Sequence, residues 1–539
     1  MLYALCSPLY AHHSKLTDGA KACKKDFMSW GKSLIFYSFL VLYFAILIYL
    51  SNEINIWEDE VYSLNTTSNN LSNVVSQSYN FEAQPPVYFI LLALWRHINT
   101  GICFARVLSL IFIGLSAYFL SKLVSLVSDI ESSRWFVIIF LLNPFTVWAA
   151  LEIRTYALLI FLSSISIYYF LNFYASNKNY HLYSFLIISI IGVYTQYFFV
   201  FLIIALAFSL LVFKGWRAFF KLCFYLIPVV LLFLPNLLFL PEGLSRQQTN
   251  NPDYSVLDGL YKVFQSPPKL ILALNVVPSG NGLKLVIIIL FIFFGIYTYF
   301  KAYKKHLILC DLYFERYNLI LVSALIIVIL YSIVVVITRM VYADKYMAIA
   351  FPFFILLFTL FQVHSSFIRT LIYGTITIFF LSLLIITYIH PIKIYDFKSV
   401  AKYISKIERT GEPILFYRNA MSLPFTYYYK GLNPLVPLPN PVRFDNTYLK
   451  NIKDTLELKR AITGINAKSN SYLIISDDNT DYAYNVNFNR KMVDDYLIAH
   501  YNITLDTLCF GEGPEFFIRI RRLEKSLPFN TINNVKFLF

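Results

Sequence analysis

Residues 33–64 read SLIFYSFLVLYFAILIYL SNEINI WEDEVYSL, an unbroken apolar run followed closely by the adjacent acids Asp59 and Glu60. A helix needs about 20 residues to cross the hydrocarbon core of a bilayer, so 33–50 reads as a membrane anchor. A polar, Lys-rich segment precedes it and no small-residue cleavage site follows, which marks it as an uncleaved anchor rather than a signal peptide. The rest of the chain has the same character. Of its 539 residues 58% are hydrophobic and 14% are charged, with a mean hydropathy of +0.60. Water-soluble domains are about 25% charged. The class is a polytopic α-helical membrane protein.

Hydropathy predicts about 11–13 transmembrane helices. The spans lie near 33–50, 104–127, 135–150, 155–174, 182–195, 197–213, 218–240, 284–303, 317–337, 346–363 and 369–389. Residues 86–98, PVYFILLALWRHI, are apolar but short, and predict an interfacial or re-entrant helix. Lys and Arg in the short loops set the orientation. With the N-terminus cytoplasmic, the inner segments carry Lys15, Lys21, Lys24, Lys25 and Lys32, then Arg134, Lys178, Lys214, Arg217, Lys221, Lys301, Lys304, Lys305, Arg316 and Arg369. The alternate segments, 51–103, 241–283 and everything from His390 onward, are longer and poorer in cations. The net charge of +14 thus marks a cytoplasmic face, and no nucleic-acid partner is needed to explain it.

Three parts follow: a cytoplasmic segment 1–32, a membrane domain 33–389 with outer loops 51–103 and 241–283, and a tail 390–539. In the tail, DFKSVAKYISKIER has helical periodicity, PILFY and SYLIISD read as buried strands, and FFIRIRRL alternates like an edge strand. These features predict a small extracytoplasmic α/β domain. The six cysteines form no CxxC pair and have no neighbouring histidine set, so neither a metal site nor a cofactor is expected, with a divalent metal left open.

This topology sends Asp59, Glu60, EAQPPVYF (82–89), Arg106, LEIRTY (151–156), YTQYF (194–198) and TRMVYADKY (338–346) to the outer face. Two acids and the cations Arg106, Arg154, Arg339 and Lys345 therefore gather at one side of the membrane. A carboxylate there can take the proton of an acceptor hydroxyl. Cations close by can stabilise a phosphate leaving group as its charge develops. A phosphate on a polyprenyl lipid sits at that depth, whereas sugar nucleotides made in the cytosol do not reach it.

The order W-x-D-E, QPPVYF, RTYAL, YTQYF and KY before a span containing Pro352 resembles the GT-C membrane glycosyltransferases. The nearest group is glycosyltransferase family 39 with its bacterial relatives, which includes protein O-mannosyltransferases and the aminoarabinose transferases of lipid A. The resemblance covers about residues 33–390 and extends to a tail of the kind the bacterial members carry. It implies a GT-C fold and transfer of a sugar from a polyprenyl-phosphate donor to an acceptor lipid, glycan or protein, with inversion at the anomeric carbon. It also implies a multi-pass location in the inner (plasma) membrane, among membrane lipids. Asp59 falls on the family's catalytic acid with Glu60 beside it. Gln84 falls where relatives carry His, Gln or Lys before proline, and Arg154 matches the Arg of R-x-Y, followed by Tyr156. The family's later Arg-Tyr is Lys345-Tyr346 here, which keeps the charge and loses the bidentate fork. Arg106 joins this set as a further candidate for the phosphate.

Plainer readings stand beside these. Glu60 can hold the loop, Arg154 can pair with Glu152 two residues away, and Arg106 and Lys345 can snorkel to headgroups. Gln84 can shape a turn, and Tyr156 and Tyr346 can belong to an interfacial belt. The alternative enzyme is an O-antigen polymerase or ligase. The alternative from another class is a lipid or sugar transporter, which would place charges near mid-bilayer, where these spans have almost none.

Overall fold

The computed structural model describes residues 33–68, 70–126, 130–176, 178–241, 255–273, 312–357, 366–444, 452–466, 470–476, 480–481, 486–487, 489–513, 516–525 and 535–537, with scattered residues between 284 and 300. By contacts, residues 1–50 and 51–539 are separate units. The first contributes the apolar run of α1 (Ser33–Glu53). The site lies wholly in the second.

Among the described residues six helices are long and apolar enough to cross a membrane: α1, α5 (Ile102–Ser125), α8 (Tyr156–Ser176), α10 (Phe199–Leu237), α12 (Leu312–Thr338, apolar from Glu315) and α14 (Ser366–Tyr388, apolar from Phe367). Large apolar side chains such as Ile187, Phe224, Ile337 and Phe367 are exposed on these helices and their neighbours. Such a surface requires lipid rather than water. The protein is a multi-pass membrane protein.

The remaining predicted spans differ in instructive ways. Span 135–150 is two helices, α6 (Ile130–Leu142) and α7 (Pro144–Ala150), bent by 64°. Asn143 makes the bend, because its side chain accepts from the Phe145 amide and so caps α7, with Pro144 at the first helical position. Spans 197–213 and 218–240 are joined in the 39 residues of α10, about twice what one crossing needs. Helical geometry breaks at Gly215, whose φ of 77° favours glycine. Span 182–195 is the 15-residue α9 (Asn179–Val193). The expected span 346–363 is not one helix in its described part: a 3-10 turn (Asp344–Ile349) leads into the six-residue α13 (Phe351–Leu356). Most of the expected span 284–303 lies outside the described residues. Within 241–283, read from sequence as a loop, residues form α11 (Val256–Leu272), capped by the Ser255 hydroxyl.

Between α1 and α5 come three short helices. They are α2 (Glu58–Thr66), α3 (Leu71–Asn80) and α4 (Val87–Arg96). Glu58, Asp59 and Glu60 fill the first turn of α2, where negative charge complements the helix dipole. Asn70 caps α3 by accepting from the Asn73 amide.

Beyond α14 lies a six-stranded mixed sheet in the order β2-β1-β3-β7-β6-β8. Its strands are β1 (Ile414–Tyr417), β2 (Leu435–Pro437), β3 (Ser471–Ser476), β6 (Tyr501–Phe510), β7 (Phe517–Lys525) and β8 (Val535–Phe537), with β4 (Thr480–Asp481) and β5 (Val486–Asn487) pairing apart. Strand periodicity places Ile414 and Phe416 on one face, against Val400 and Ile404 of α15 (Phe397–Ile407) and Phe425 of α16 (Ser422–Tyr428). Leu415 and Tyr417 face the other way, onto Leu458 of α17 (Thr455–Asn466) and Leu497 of α18 (Arg490–His500). Strand β7, expected at an edge, lies between β3 and β6. Its alternating arginines are paired instead: Arg519 with Asp506 at 2.6 Å, Arg521 with Asp494 at 2.7 Å and Arg522 with Glu412 at 2.6 Å.

Candidate active site

The first turn of α2 aims its acids in different directions. Glu60 and Arg106 are both fully buried and form a two-pronged ion pair, with Nε to Oε1 at 3.0 Å and Nη2 to Oε2 at 2.8 Å. The remaining guanidinium hydrogens go to the carbonyls of Ser51 (2.9 Å), Ile54 (2.8 Å) and Asn55 (3.0 Å). Arg106 therefore has no N–H left for a phosphate. It fastens the turn between α1 and α2.

Lys393, just past α14, completes this sealed group. Its ammonium lies 3.1 Å from Glu60 and 2.9 Å from Glu152, and donates to the Leu151 carbonyl at 2.9 Å. Glu152 accepts from the Trp57 indole at 2.9 Å, and the Ile153 amide donates to Glu60 at 3.2 Å. The same tail segment is stitched to the loop again. The Asn55 side chain donates to the carbonyls of Lys393 (3.1 Å) and Tyr395 (2.7 Å) and accepts from the Lys393 amide (2.5 Å). The Tyr428 hydroxyl accepts from the Ile56 amide at 2.7 Å, and Arg418 pairs with Glu58 at 3.1 Å.

A second group of four lies beside it and is more open. Asp59 pairs with Lys345 at 3.1 Å, their side chains 27% and 29% exposed. The Lys345 ammonium sits 5.7 Å over the Trp57 ring. Arg154 pairs with Glu82 at 2.7 Å, and its Nη1 also donates to the Ser63 hydroxyl (3.0 Å) and the Asp59 carbonyl (3.3 Å). The expected partner Glu152 belongs to Lys393 instead, at 2.9 Å.

Each group carries two acids and two cations, and burial treats the acids unequally. Burial pushes the Asp59 carboxyl up, but Lys345 and Arg154 outweigh it and hold it below its ordinary value. Glu60 is likewise held low, with Arg106 and Lys393 overcoming burial. Burial wins at Glu82, where Arg154 opposes it and Asp59 adds to it. It wins at Glu152 as well, against Lys393 and with help from Glu60. The ionised, partly open carboxylate is that of Asp59.

The other expected residues lie around these groups. The Gln84 backbone amide donates to the Ser78 carbonyl at 2.9 Å, while its side-chain oxygen is buried without a hydrogen bond among the described residues. Tyr156 is buried with its ring 5.0 Å from Trp148. The Tyr346 carbonyl accepts from the Tyr331 hydroxyl at 2.6 Å. Sequence reading did not nominate Glu82, Lys393, Asn55 or Arg418. The signal for Glu82 was its place in EAQPP, in the same loop as Gln84. Among the described residues no group of three or more His, Cys, Asp or Glu side chains could hold a metal ion.

No protein-family profile and no curated protein matches the sequence. Among solved structures, ArnT from Cupriavidus metallidurans in the apo state aligns over 90% of this chain and 98% of its own, with a TM-score of 0.55 and 11% identity. The chain has the GT-C fold. ArnT bound to undecaprenyl phosphate aligns over the same shares at a TM-score of 0.44 and 10% identity.

Proposed function

We propose that the protein transfers a sugar from a polyprenyl-phosphate donor to an acceptor hydroxyl at the outer face of the plasma membrane. The observation that carries this reading is the pair Asp59–Lys345, a partly open carboxylate held ionised 3.1 Å from a cation, with Arg154 behind it. In the proposed step Asp59 takes the acceptor's proton as the acceptor oxygen bonds to the anomeric carbon. The bond from that carbon to the phosphate oxygen breaks, and the lipid leaves as a phosphate monoester. Lys345 and Arg154 offset the charge that grows on that phosphate. A single displacement of this kind inverts the anomeric centre.

The candidate roles divide accordingly. Asp59 is the base, Lys345 and Arg154 hold the phosphate, and Gln84, Tyr156 and Tyr346 line the approach. Glu60 and Arg106 keep the loop in place. The fold shared with ArnT supports a transferase with a lipid-linked donor and leaves the sugar and the acceptor to experiment. The test is a transfer assay with purified full-length protein and polyprenyl-phosphate sugars of several kinds. Formation of polyprenyl phosphate that depends on Asp59 is expected. Absence of turnover with every donor would remove the reading.

A further inference from the structure

The open group is electrically balanced before any substrate arrives. Asp59 and Glu82 supply two negative charges, and Lys345 and Arg154 supply two positive ones. The sealed group beside it is balanced too, with Glu60 and Glu152 against Arg106 and Lys393. A lipid phosphate brings at least one further negative charge and competes for Arg154 and Lys345. An unpaired charge left in a buried place costs several kcal/mol, and such groups neutralise instead. The two acids are not equally placed to absorb the change. Asp59 is 27% exposed and can turn to water, whereas Glu82 is 3% exposed and Arg154 is its ion-pair partner.

We propose that Glu82 is the proton acceptor of phosphate binding: as a lipid phosphate takes Arg154, the Glu82 carboxylate picks up one proton from solvent and stays in place as a neutral acid. The inference rests on the phosphate reading above and adds a residue and a proton to it. The balance is simple: a phosphate anion and a proton enter together, and the net charge of the group is unchanged. The groups that face Glu82 are Arg154, Asp59, the Thr66 hydroxyl at 3.3 Å and Tyr88 of α4. Among the described residues Arg154 is the one cation that acts on it, so losing that partner removes the charge that favours the ionised form. Burial already pushes its carboxyl up even with Arg154 paired. Freed of Lys345 by the same phosphate, Asp59 becomes a stronger base at the moment the donor arrives.

The probe is the methyl ester of undecaprenyl phosphate, a diester whose single charge does not titrate near neutrality. Its binding to the detergent-solubilised full chain is measured by calorimetry at mildly alkaline pH, in two buffers of different ionisation enthalpy. Uptake of about one proton per lipid is expected, with affinity falling by up to about tenfold per pH unit through the titration. Glu82→Gln should bind without proton uptake and with an affinity that no longer follows pH. Infrared difference spectra of the wild type should gain a protonated-carboxyl band on binding, a reading that stands even if the variant does not fold. Binding without uptake or band in the wild type, or unchanged uptake in Glu82→Gln, overturns the proposal and leaves the phosphate site intact. Failure of the wild type to bind the lipid overturns the phosphate site and this inference with it.

Discussion

Asp59 and Glu60 leave neighbouring positions in the first turn of α2, and the roughly 100° between successive helical residues sends one carboxylate toward Lys345 and the other into Arg106. Opposite mutational behaviour follows. Asp59→Asn keeps shape and size but removes the proton acceptor, so transfer should fall by about 10²–10⁴-fold with an unchanged unfolding temperature. Near-normal turnover would strip Asp59 of its role. Glu60→Gln leaves Arg106 buried beside a neutral group, and should destabilise the protein by about 3–5 kcal/mol. Thermal unfolding in detergent measures this. Acidification adds a check. The Glu60 carboxyl is held below its ordinary value, so its contribution to stability is present above the unfolded-state value and is lost as pH falls through the folded one. The unfolding temperature should drop on acidification in the wild type, and less in Glu60→Gln. Sequence could nominate Asp59, Arg154 and Lys345 because charges are scarce in so apolar a chain. It could not show that Arg106 is fully engaged, since only coordinates count a guanidinium's partners. Nor could it nominate Lys393, one of many tail lysines, with its loop partner Asn55 lying 338 residues away.

At the scale of elements, the clamp between loop and tail rests on close backbone approach. A Cβ added to Gly511 would lie 1.8 Å from the Ile394 carbonyl oxygen, which accepts from the Glu512 amide at 2.9 Å. A backbone atom cannot swing aside as a side chain can. Gly511→Ala should therefore shift residues 393–395, destabilise the fold by about 1–3 kcal/mol and reduce transfer, although Gly511 lies outside both four-residue groups. Wild-type turnover in Gly511→Ala would show that the clamp tolerates displacement. Hydropathy located most helices here, but it reads composition rather than hydrogen bonding. It therefore could not foresee that the described part of 346–363 opens with a 3-10 turn before α13, and alternation alone took the paired arginines of β7 for the signature of an edge.

At the scale of the molecule, the tail supplies Lys393 to a pair of acids from two other parts of the chain. Lys393→Met keeps length and apolar stem while removing the charge, and should abolish transfer along with a fall in unfolding temperature. A chain ended at Tyr388 should insert in the membrane and be inactive for the same reason. Orientation has its own measurement, motivated by the distribution of Lys and Arg. In a cysteine-free background, Asn70→Cys and Leu432→Cys should react with an impermeant reagent from outside, and Arg217→Cys should not. Labelling at 217 from outside would invert the topology. The GT-C fold was legible in the order of motifs along the chain. The partners within the site were not, since they pair across the whole length of the sequence.

The bridge made by Lys393 also has a consequence for biogenesis. Its ammonium binds the carbonyl of Leu151, a residue 242 positions earlier in the chain. Ribosomes add roughly 5–20 residues per second, so Glu60 and Glu152 leave the ribosome roughly 10–70 s before the cation that will sit between them. During that interval Glu60 can already pair with Arg106, whereas Glu152 waits for its cation. Completion of this group therefore waits until most of the chain has been made. A chain stalled or cleaved before position 393 presents an incomplete, open core to the cell's membrane proteases.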